Sequence, residues 1–120
     1  MISINYRDGR PLYEQVRDGF RQLIITGVLP AGSKMPSVRE MASSLTINPN
    51  TIQRAYRELE AEGYIASVPG KGSFVADREE AVSARREELL TRFRSLLPEL
   101  KQVGTEESTL VHLIKEEYDS

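Results

Sequence analysis

The side chains best suited to recognition chemistry lie in one predicted helix that begins at Asn48. Opposite its apolar stripe, at about 100° per residue, this helix carries Asn50, Arg54 and Arg57, with Gln53 on the flank, so that its polar side offers two amides and two guanidinium groups. Its acids fall only in the last turns: Glu58, Glu60 and Glu62. Amides pair with adenine edges, arginine pairs with guanine edges, and a helix N-terminus favours a phosphate oxygen. This polarity is typical of a helix that enters the major groove of DNA by its N-terminus, although a solvated surface helix is the alternative for such a face alone.

The element before this helix favours the DNA-binding interpretation. A capping box at Ser37 opens a short amphipathic helix that should end near Leu45. A three-residue turn follows, and then Asn48 and Pro49 stand where an N-cap and a first helical residue are preferred. Two helices joined by such a turn predict a helix-turn-helix, whose second helix should end at Gly63.

The element after this helix reads as a wing. Two short apolar runs predict a two-strand hairpin over residues 64–75, with a glycine-rich tip at residues 69–72. Glycine lets backbone approach a ligand closely, so a wing would bring Gly70 near DNA and Lys71 to a phosphate or base edge. An ordinary hairpin with a solvated lysine is the alternative. Lys34, in the loop before the capping box, should also stay exposed.

The first 30 residues are expected to support this motif. Residues 2–6 alternate apolar and polar, which predicts either a short strand or a surface arm packed through its isoleucines. A helix opened by Pro11 carries one apolar stripe and should end near Gly27. Gly19 counts slightly against this helix, at a cost of about 1 kcal/mol relative to alanine.

Four segments, in this order, resemble the DNA-binding domain of the GntR family of bacterial transcription regulators: PLYEQV, GVLPAGSKMPSVREMA, INPNTIQRAYRELEAEGYI and PGKGSFV. The NPNT turn, the RAYRELE helix and the short tail resemble its YtrA-like branch. The resemblance covers about residues 2–76 and implies these DNA contacts: Arg39, Asn48, Asn50, Thr51, Gln53, Gly70 and Lys71. The expected contact set is completed by Lys34, Ser37, Arg54 and Arg57. Some family members carry arginine where this chain has Pro49 and Gln53, so its base preference should differ from theirs.

Residues 77–120 form a second, helical segment. Apolar residues recur every seven positions from Val82 to Leu96, which makes a seam for helix pairing. Pro98 should kink or end this helix, and Thr105 can cap a last one. Two such helices cannot build a core alone, so we expect a homodimer formed through this segment. An intramolecular hairpin on a monomer is the alternative.

Composition excludes several kinds of chemistry. The chain of 120 residues has no cysteine and only one histidine, His112, so neither a catalytic triad nor a metal site is supported, and no enzyme activity or cofactor is expected. The net charge of −2 hides nine Lys/Arg against seven Asp/Glu in residues 1–76, and seven against eleven in residues 77–120. No apolar run is long enough for a signal peptide or a membrane span, which favours a cytoplasmic protein.

The predicted fold is mainly α with a small β-hairpin. A winged helix-turn-helix domain over residues 1–76 should precede a short two-helix dimerisation segment over residues 77–120. The expected function is sequence-specific binding of double-stranded DNA by a transcription regulator, a repressor on a two-fold operator. The resemblance links the YtrA-like branch to ABC-transporter operons, and no effector is indicated. The alternatives are a winged-helix module that binds protein and the front end of an aminotransferase-fused regulator. The 44 residues after the wing leave no room for a large effector domain or an aminotransferase-like domain.

Overall fold

The computed structural model describes residues 2–120, so Met1, which the predicted domain includes, lies outside the described residues. Within them the chain forms five helices and one hairpin, in this order: α1 Leu12–Ile25, α2 Val38–Leu45, α3 Pro49–Ala61, β1 Ile65–Val68, β2 Gly72–Val75, α4 Arg78–Gln102 and α5 Glu107–Asp119. This mainly helical architecture with one antiparallel hairpin confirms the predicted fold class. By contacts it divides into two compact units, one ending at Arg85 and one over residues 86–120.

Helix α1 forms around an apolar stripe with a spacing of four residues. Val16, Phe20 and Ile24 are completely buried, and burial of each such side chain contributes about 1.5–3 kcal/mol. The helix starts after Pro11, as predicted, and ends just before Gly27, whose φ of 82° is the left-handed conformation that ends many helices.

The N-terminal arm packs on α1 without forming the strand that residues 2–6 allowed. Gln15 explains this, because its side chain accepts a hydrogen bond from the Asn5 N–H at 2.9 Å and donates to the Asn5 carbonyl at 3.1 Å. These bonds replace a strand partner for the arm. A Cβ atom on Gly19 would lie 2.8 Å from Ile2 Cδ1, so the glycine makes room for the arm.

Local caps set the helix-turn-helix. Ser37 Oγ accepts the Glu40 N–H at 3.0 Å, and Asn48 Oδ1 accepts the Asn50 N–H at 2.8 Å. Between the helices, Thr46 adopts the left-handed conformation at φ 55° and ψ 49°, which is unusual for a β-branched residue. The predicted starts of α2 and α3 are therefore confirmed.

Helix α3 is the element on which the first unit packs. One face is buried through Ile52, Ala55, Tyr56 and Leu59. The Tyr56 ring meets Phe20 of α1 edge-on, with centroids 5.6 Å apart, and its hydroxyl donates to the Pro36 carbonyl at 2.7 Å. Helix α3 is thereby held between α1 and the entrance to α2.

The hairpin follows α3 with Ile65 paired to Val75, both buried in the core. The Lys71 N–H donates to the Val68 carbonyl at 2.9 Å, and Gly70 has a φ of 75°. A proline followed by a glycine with positive φ is typical of a type II turn. The tip is thus a tight turn at the far end of the hairpin from the core.

The loop before α2 pairs with the outer edge of β2, which the sequence did not predict. The N–H groups of Gly32 and Met35 donate to the carbonyls of Val75 and Ser73, and the Val75 N–H donates to the Ser33 carbonyl, each at 2.8 Å. The loop therefore acts as a short third strand of the wing, and it fixes Lys34 beside the hairpin.

The start of α4 belongs to the first unit. Asp77 Oδ1 accepts the Glu79 N–H at 2.8 Å, Arg78 Nε donates to the Ile25 carbonyl at 2.8 Å, and Ala81 is completely buried. The predicted division after residue 76 stays a prediction, but these contacts join the first turns of α4 to the core.

Two expectations about the second unit are corrected. Helix α4 does not end at Pro98 but continues to Gln102, and the kink that was the other expectation there stays a prediction. This part of the helix is exposed, so water can replace the bond that proline removes. Thr105 does not cap α5; its N–H bonds to the Leu100 carbonyl at 2.9 Å and closes the end of α4. Glu106 is the N-cap of α5 instead. No helix within residues 2–120 is long and apolar enough to cross a membrane.

Candidate nucleic-acid interface

The outward face of α3 carries the predicted recognition residues. The four amide and guanidinium side chains of this face are all exposed: Asn50, Gln53, Arg54 and Arg57. Thr51, at the edge of the face, is half-buried. They lie on the side of α3 away from the buried stripe. The first two turns therefore present hydrogen-bonding and cationic groups to solvent without an acid among them.

The N-termini of α2 and α3 have their capping oxygens already engaged. Ser37 Oγ and Asn48 Oδ1 each accept a backbone N–H of their own helix. A DNA phosphate would therefore meet backbone N–H groups and the Asn48 amide nitrogen rather than these oxygens. Arg39, the second residue of α2, is exposed beside this start.

The acidic second half of α3 is tied to α1. Glu58 accepts a hydrogen bond from Arg17 Nη1 at 2.7 Å, and Glu62 accepts from Arg21 Nη2 at 3.0 Å. Burial would lower the pKa of Arg17, but its hydrogen bonds to Glu58 and to Asp18 outweigh burial and raise it. These pairs orient α3 against α1 and reduce the negative field near the recognition face.

Arg54 differs from the other cations of this face. Its guanidinium carbon lies 3.7 Å from the ring centroid of Tyr13, and its Nε lies 3.5 Å from Glu58 Oε2. Arg57, one turn along, forms no ion pair or ring contact within residues 2–120. Sequence reasoning missed Tyr13, because nothing local to it signals a partner on another helix.

The wing brings Lys34 to the hairpin and to the start of α2. The Lys34 side chain is so close to β2 that a Cβ atom on Gly72 would lie 3.0 Å from Lys34 Cε. An open cleft of about 270 Å³ is lined by Lys34, Ser37 and Gly72 among others. Lys71 is exposed at the tip, and the space around Gly70 is open for at least 4 Å beyond a Cβ atom placed there.

Metal-binding side chains do not cluster in the described part of the chain. Within residues 2–120 no three His, Asp or Glu side chains are placed to hold a metal ion. His112 lies in the second unit, where it is exposed and pairs with Glu116 at 3.1 Å. The pKa of Tyr56 is raised by its burial and then by Glu40, which keeps its hydroxyl as a hydrogen-bond donor.

Comparison with known proteins gives the context of this surface. Residues 12–75 match the family model described as bacterial regulatory proteins, gntR family. Over 118 residues the chain is 34% identical to the HTH-type transcriptional repressor YtrA of Bacillus subtilis (strain 168), with 97% of this chain and 91% of that protein covered. The structure of YtrA from Sulfolobus acidocaldarius, a GntR-family transcription factor, has a TM-score of 0.64 at 34% identity, over 79% of this chain and 96% of that one. The DNA-binding domain of AraR in complex with operator ORR3 has a TM-score of 0.55 at 28% identity, over 62% and 89%.

The family match covers the whole helix-turn-helix and wing, and the match to YtrA extends through α4 and α5. The chain therefore belongs to the GntR family of bacterial transcription regulators, which are not enzymes, and within it to the YtrA-like branch.

Proposed function

We propose that this regulator represses transcription in the cytoplasm by binding a two-fold operator as a homodimer. The observation that carries the proposal is the exposed face of α3, whose first two turns offer amides and guanidinium groups beside a cationic wing tip. The printed name of the Bacillus relative, a transcriptional repressor, supports the direction of control. Helix-turn-helix dimers read half-sites about 34–36 Å apart, or a multiple of that spacing.

Each exposed residue has a proposed role. Asn50 and Gln53 read base edges, with Thr51 and Asn48 at the groove entrance. The cations hold the DNA backbone: Lys34, Arg39, Arg57 and Lys71. Ser37 presents the start of α2 to a phosphate, and Gly70 lets the wing tip approach the groove. Arg54 is also among the expected DNA contacts, and its contact with Tyr13 favours the DNA backbone as its partner.

The second unit supports the homodimer. Its apolar side chains remain about half exposed on a single chain, including Leu89 at 44%, Phe93 at 44% and Leu96 at 52%. A soluble monomer seldom leaves such a seam uncovered, and a second copy would cover it symmetrically. The target, by resemblance to the YtrA-like branch, would be an ABC-transporter operon.

A binding titration tests the proposal. Sites selected from genomic DNA would be labelled and titrated beside a scrambled duplex at several salt concentrations. Gln53→Ala should cost about 1–3 kcal/mol of discrimination between the two duplexes. Lys71→Ala should weaken both alike and reduce the salt slope by about 0.9. Lys115→Ala, which removes an exposed cation from α5, is the matched control and should do neither.

Oligomeric state is measured on the same protein. Sedimentation should give a dimer at micromolar concentration, and Phe93→Glu should give a monomer that binds half-sites weakly. A wild-type monomer would contradict the homodimer. Absence of salt-dependent binding to any genomic duplex would contradict DNA binding and favour a winged-helix module that binds protein.

A further inference from the structure

We infer that Tyr13 and Glu58 are positioning residues that hold Arg54 against a backbone phosphate, so that the start of α1 supports a DNA contact made by α3. The inference rests on the proposed DNA binding and deepens it. It assigns Arg54 to the sugar–phosphate backbone instead of a base edge, and it gives Tyr13 a role that no local sequence pattern indicated.

The geometry of the stack leaves the donors of Arg54 available. The guanidinium carbon lies 3.7 Å from the Tyr13 ring centroid, which is a close cation–π contact. A stacked guanidinium keeps its N–H donors in its own plane, where they can meet a phosphate oxygen. The side chain is 60% exposed, and its distance of 3.5 Å to Glu58 is too long for a good hydrogen bond. The donors are thus oriented but unsatisfied within residues 2–120.

Glu58 fixes the other side of Arg54 without neutralising it. One carboxylate oxygen of Glu58 accepts a short hydrogen bond of 2.7 Å from Arg17 Nη1, and the other lies 3.5 Å from Arg54 Nε. Because Glu58 is shared with Arg17, it offsets only part of the charge of Arg54, and the rest remains for an anion. The ring and the carboxylate together restrict the rotamers of Arg54 before any ligand binds.

The position of Arg54 on α3 favours a phosphate as the occupant. Arg54 lies about 40° around the helix from Asn50, towards the flank that carries Glu58 and Glu62. That flank borders α1, since both glutamates pair with arginines of α1. The elements that neighbour a recognition helix meet the walls of the groove, which are phosphates, and the guanidinium of Arg54 rests on such a neighbour, the Tyr13 ring of α1.

Restricting Arg54 in advance should increase affinity without adding sequence preference. A free arginine loses rotamer freedom when it binds, and a residue already held in place loses less. Arg57 gives the comparison within the same helix, because it is exposed and has neither a ring nor a carboxylate partner within residues 2–120. Arg54→Ala should therefore weaken binding more than Arg57→Ala.

The test is a double-mutant cycle on the full chain with specific and scrambled duplexes. Tyr13→Leu should weaken both duplexes about two- to five-fold, the size of one exposed cation–π contact. Tyr13→Phe, which keeps the ring, should recover most of that loss. In an Arg54→Ala background Tyr13→Leu should have no further effect. Tyr6→Leu, at an exposed tyrosine of the arm, is the matched control for a general loss of aromatic surface.

A second measurement reports the stack in the free protein. The side-chain methylene protons of Arg54 should be shifted upfield by the Tyr13 ring in the NMR spectrum. The shift should disappear in Tyr13→Leu and remain in Tyr13→Phe. Thermal melting of each variant, followed by circular dichroism, separates this effect from unfolding.

The outcomes distinguish this inference from the proposed function. Wild-type protein that binds neither duplex would overturn both. Wild-type binding with Tyr13→Leu unchanged, or with an equal loss in the Arg54→Ala background, would overturn the inference alone. Tighter binding by Tyr13→Leu would mean that the ring withholds Arg54 from DNA, and a loss on the specific duplex only would return Arg54 to a base edge; either result overturns the inference.

Discussion

The two glycines of the wing tip allow one substitution to be compared in two different surroundings. Gly70 has a φ of 75° and open space around it, whereas Gly72 has a φ of 111° and would place a Cβ atom 3.0 Å from Lys34 Cε. Gly70→Ala and Gly72→Ala add the same methyl group two positions apart. They therefore compare a left-handed position in open space with a more strained position that also lies against Lys34.

The expected losses of folding stability follow from these values. At Gly70 the left-handed conformation destabilises an alanine by about 1–2 kcal/mol. The alanine also lowers the conformational entropy of the unfolded chain, which offsets about 0.4–1 kcal/mol of that loss. The free energy of unfolding should thus fall by about 0–1.5 kcal/mol. At Gly72 a φ of 111° lies outside the left-handed well, at a cost of about 1–3 kcal/mol, and Lys34 must also move. Gly72→Ala should therefore lose about 1 kcal/mol more than Gly70→Ala.

Urea denaturation followed by circular dichroism measures both losses, because Ile65 and Val75 place the hairpin in the core and it should unfold with the domain. If Gly72→Ala cost no more than Gly70→Ala, the greater backbone strain expected at a φ of 111° would be refuted. Gly70→Ala is the comparison for a left-handed glycine with open space around it.

The DNA affinity of Gly70→Ala tests whether the wing tip approaches DNA closely. The space around Gly70 is open in the free protein, so a loss of affinity in the folded Gly70→Ala variant would mean that DNA occupies that space. We expect such a loss on specific and scrambled duplexes alike, by about three- to ten-fold for about 0.7–1.4 kcal/mol of lost contact. Binding equal to that of the wild type would refute a close approach of the wing tip to DNA.

Three further predictions concern the stability of the first unit. Burial raises the pKa of Tyr56, whose hydroxyl donates to the Pro36 carbonyl, so the folded protein keeps a proton that the unfolded chain loses. Stability should be fully present below about pH 10 and fall above it, less steeply in Tyr56→Phe, in urea titrations from pH 8 to 11. Glu62→Gln should lower the free energy of unfolding by about 1–3 kcal/mol, since it leaves the largely buried Arg21 with a weaker partner; an unchanged urea midpoint would contradict this. Thr46→Gly should raise the melting temperature, because relief of about 1–2 kcal/mol of left-handed strain exceeds the added chain entropy of about 0.5–1 kcal/mol; a lower melting temperature would show that the threonine is not strained.

Local chemistry made the helix-turn-helix predictable from sequence. Ser37, Asn48 and Gly63 act on backbone groups within three or four residues of themselves, so their effect is visible in a short window. The exposed face of α3 follows from the same periodicity. The assignment of that face to DNA remains a prediction that depends on the binding experiments above.

Contacts between distant residues were not predictable in the same way. Arg17 and Arg21 meet glutamates of α3 that lie 41 positions further along the chain, and Arg54 meets Tyr13 across the same pair of helices. Charge and ring are visible in the sequence, but the relative placement of α1 and α3 is not. The helix end predicted at Pro98 failed for the opposite reason, because a local rule was applied where solvent could compensate for the lost bond.

The pairing of the loop before α2 with β2 defines what can be exchanged between relatives. Three backbone hydrogen bonds join residues 32–35 to residues 73–75, so a transplanted hairpin of residues 64–75 would arrive without its outer neighbour. Lys34 would then face a foreign surface, and the entrance to α2 would lose its support. Because α3 packs on α1, the smallest self-consistent unit for recombination or grafting runs from the start of α1 through Val75, with α1, both helices of the motif and the wing inherited together.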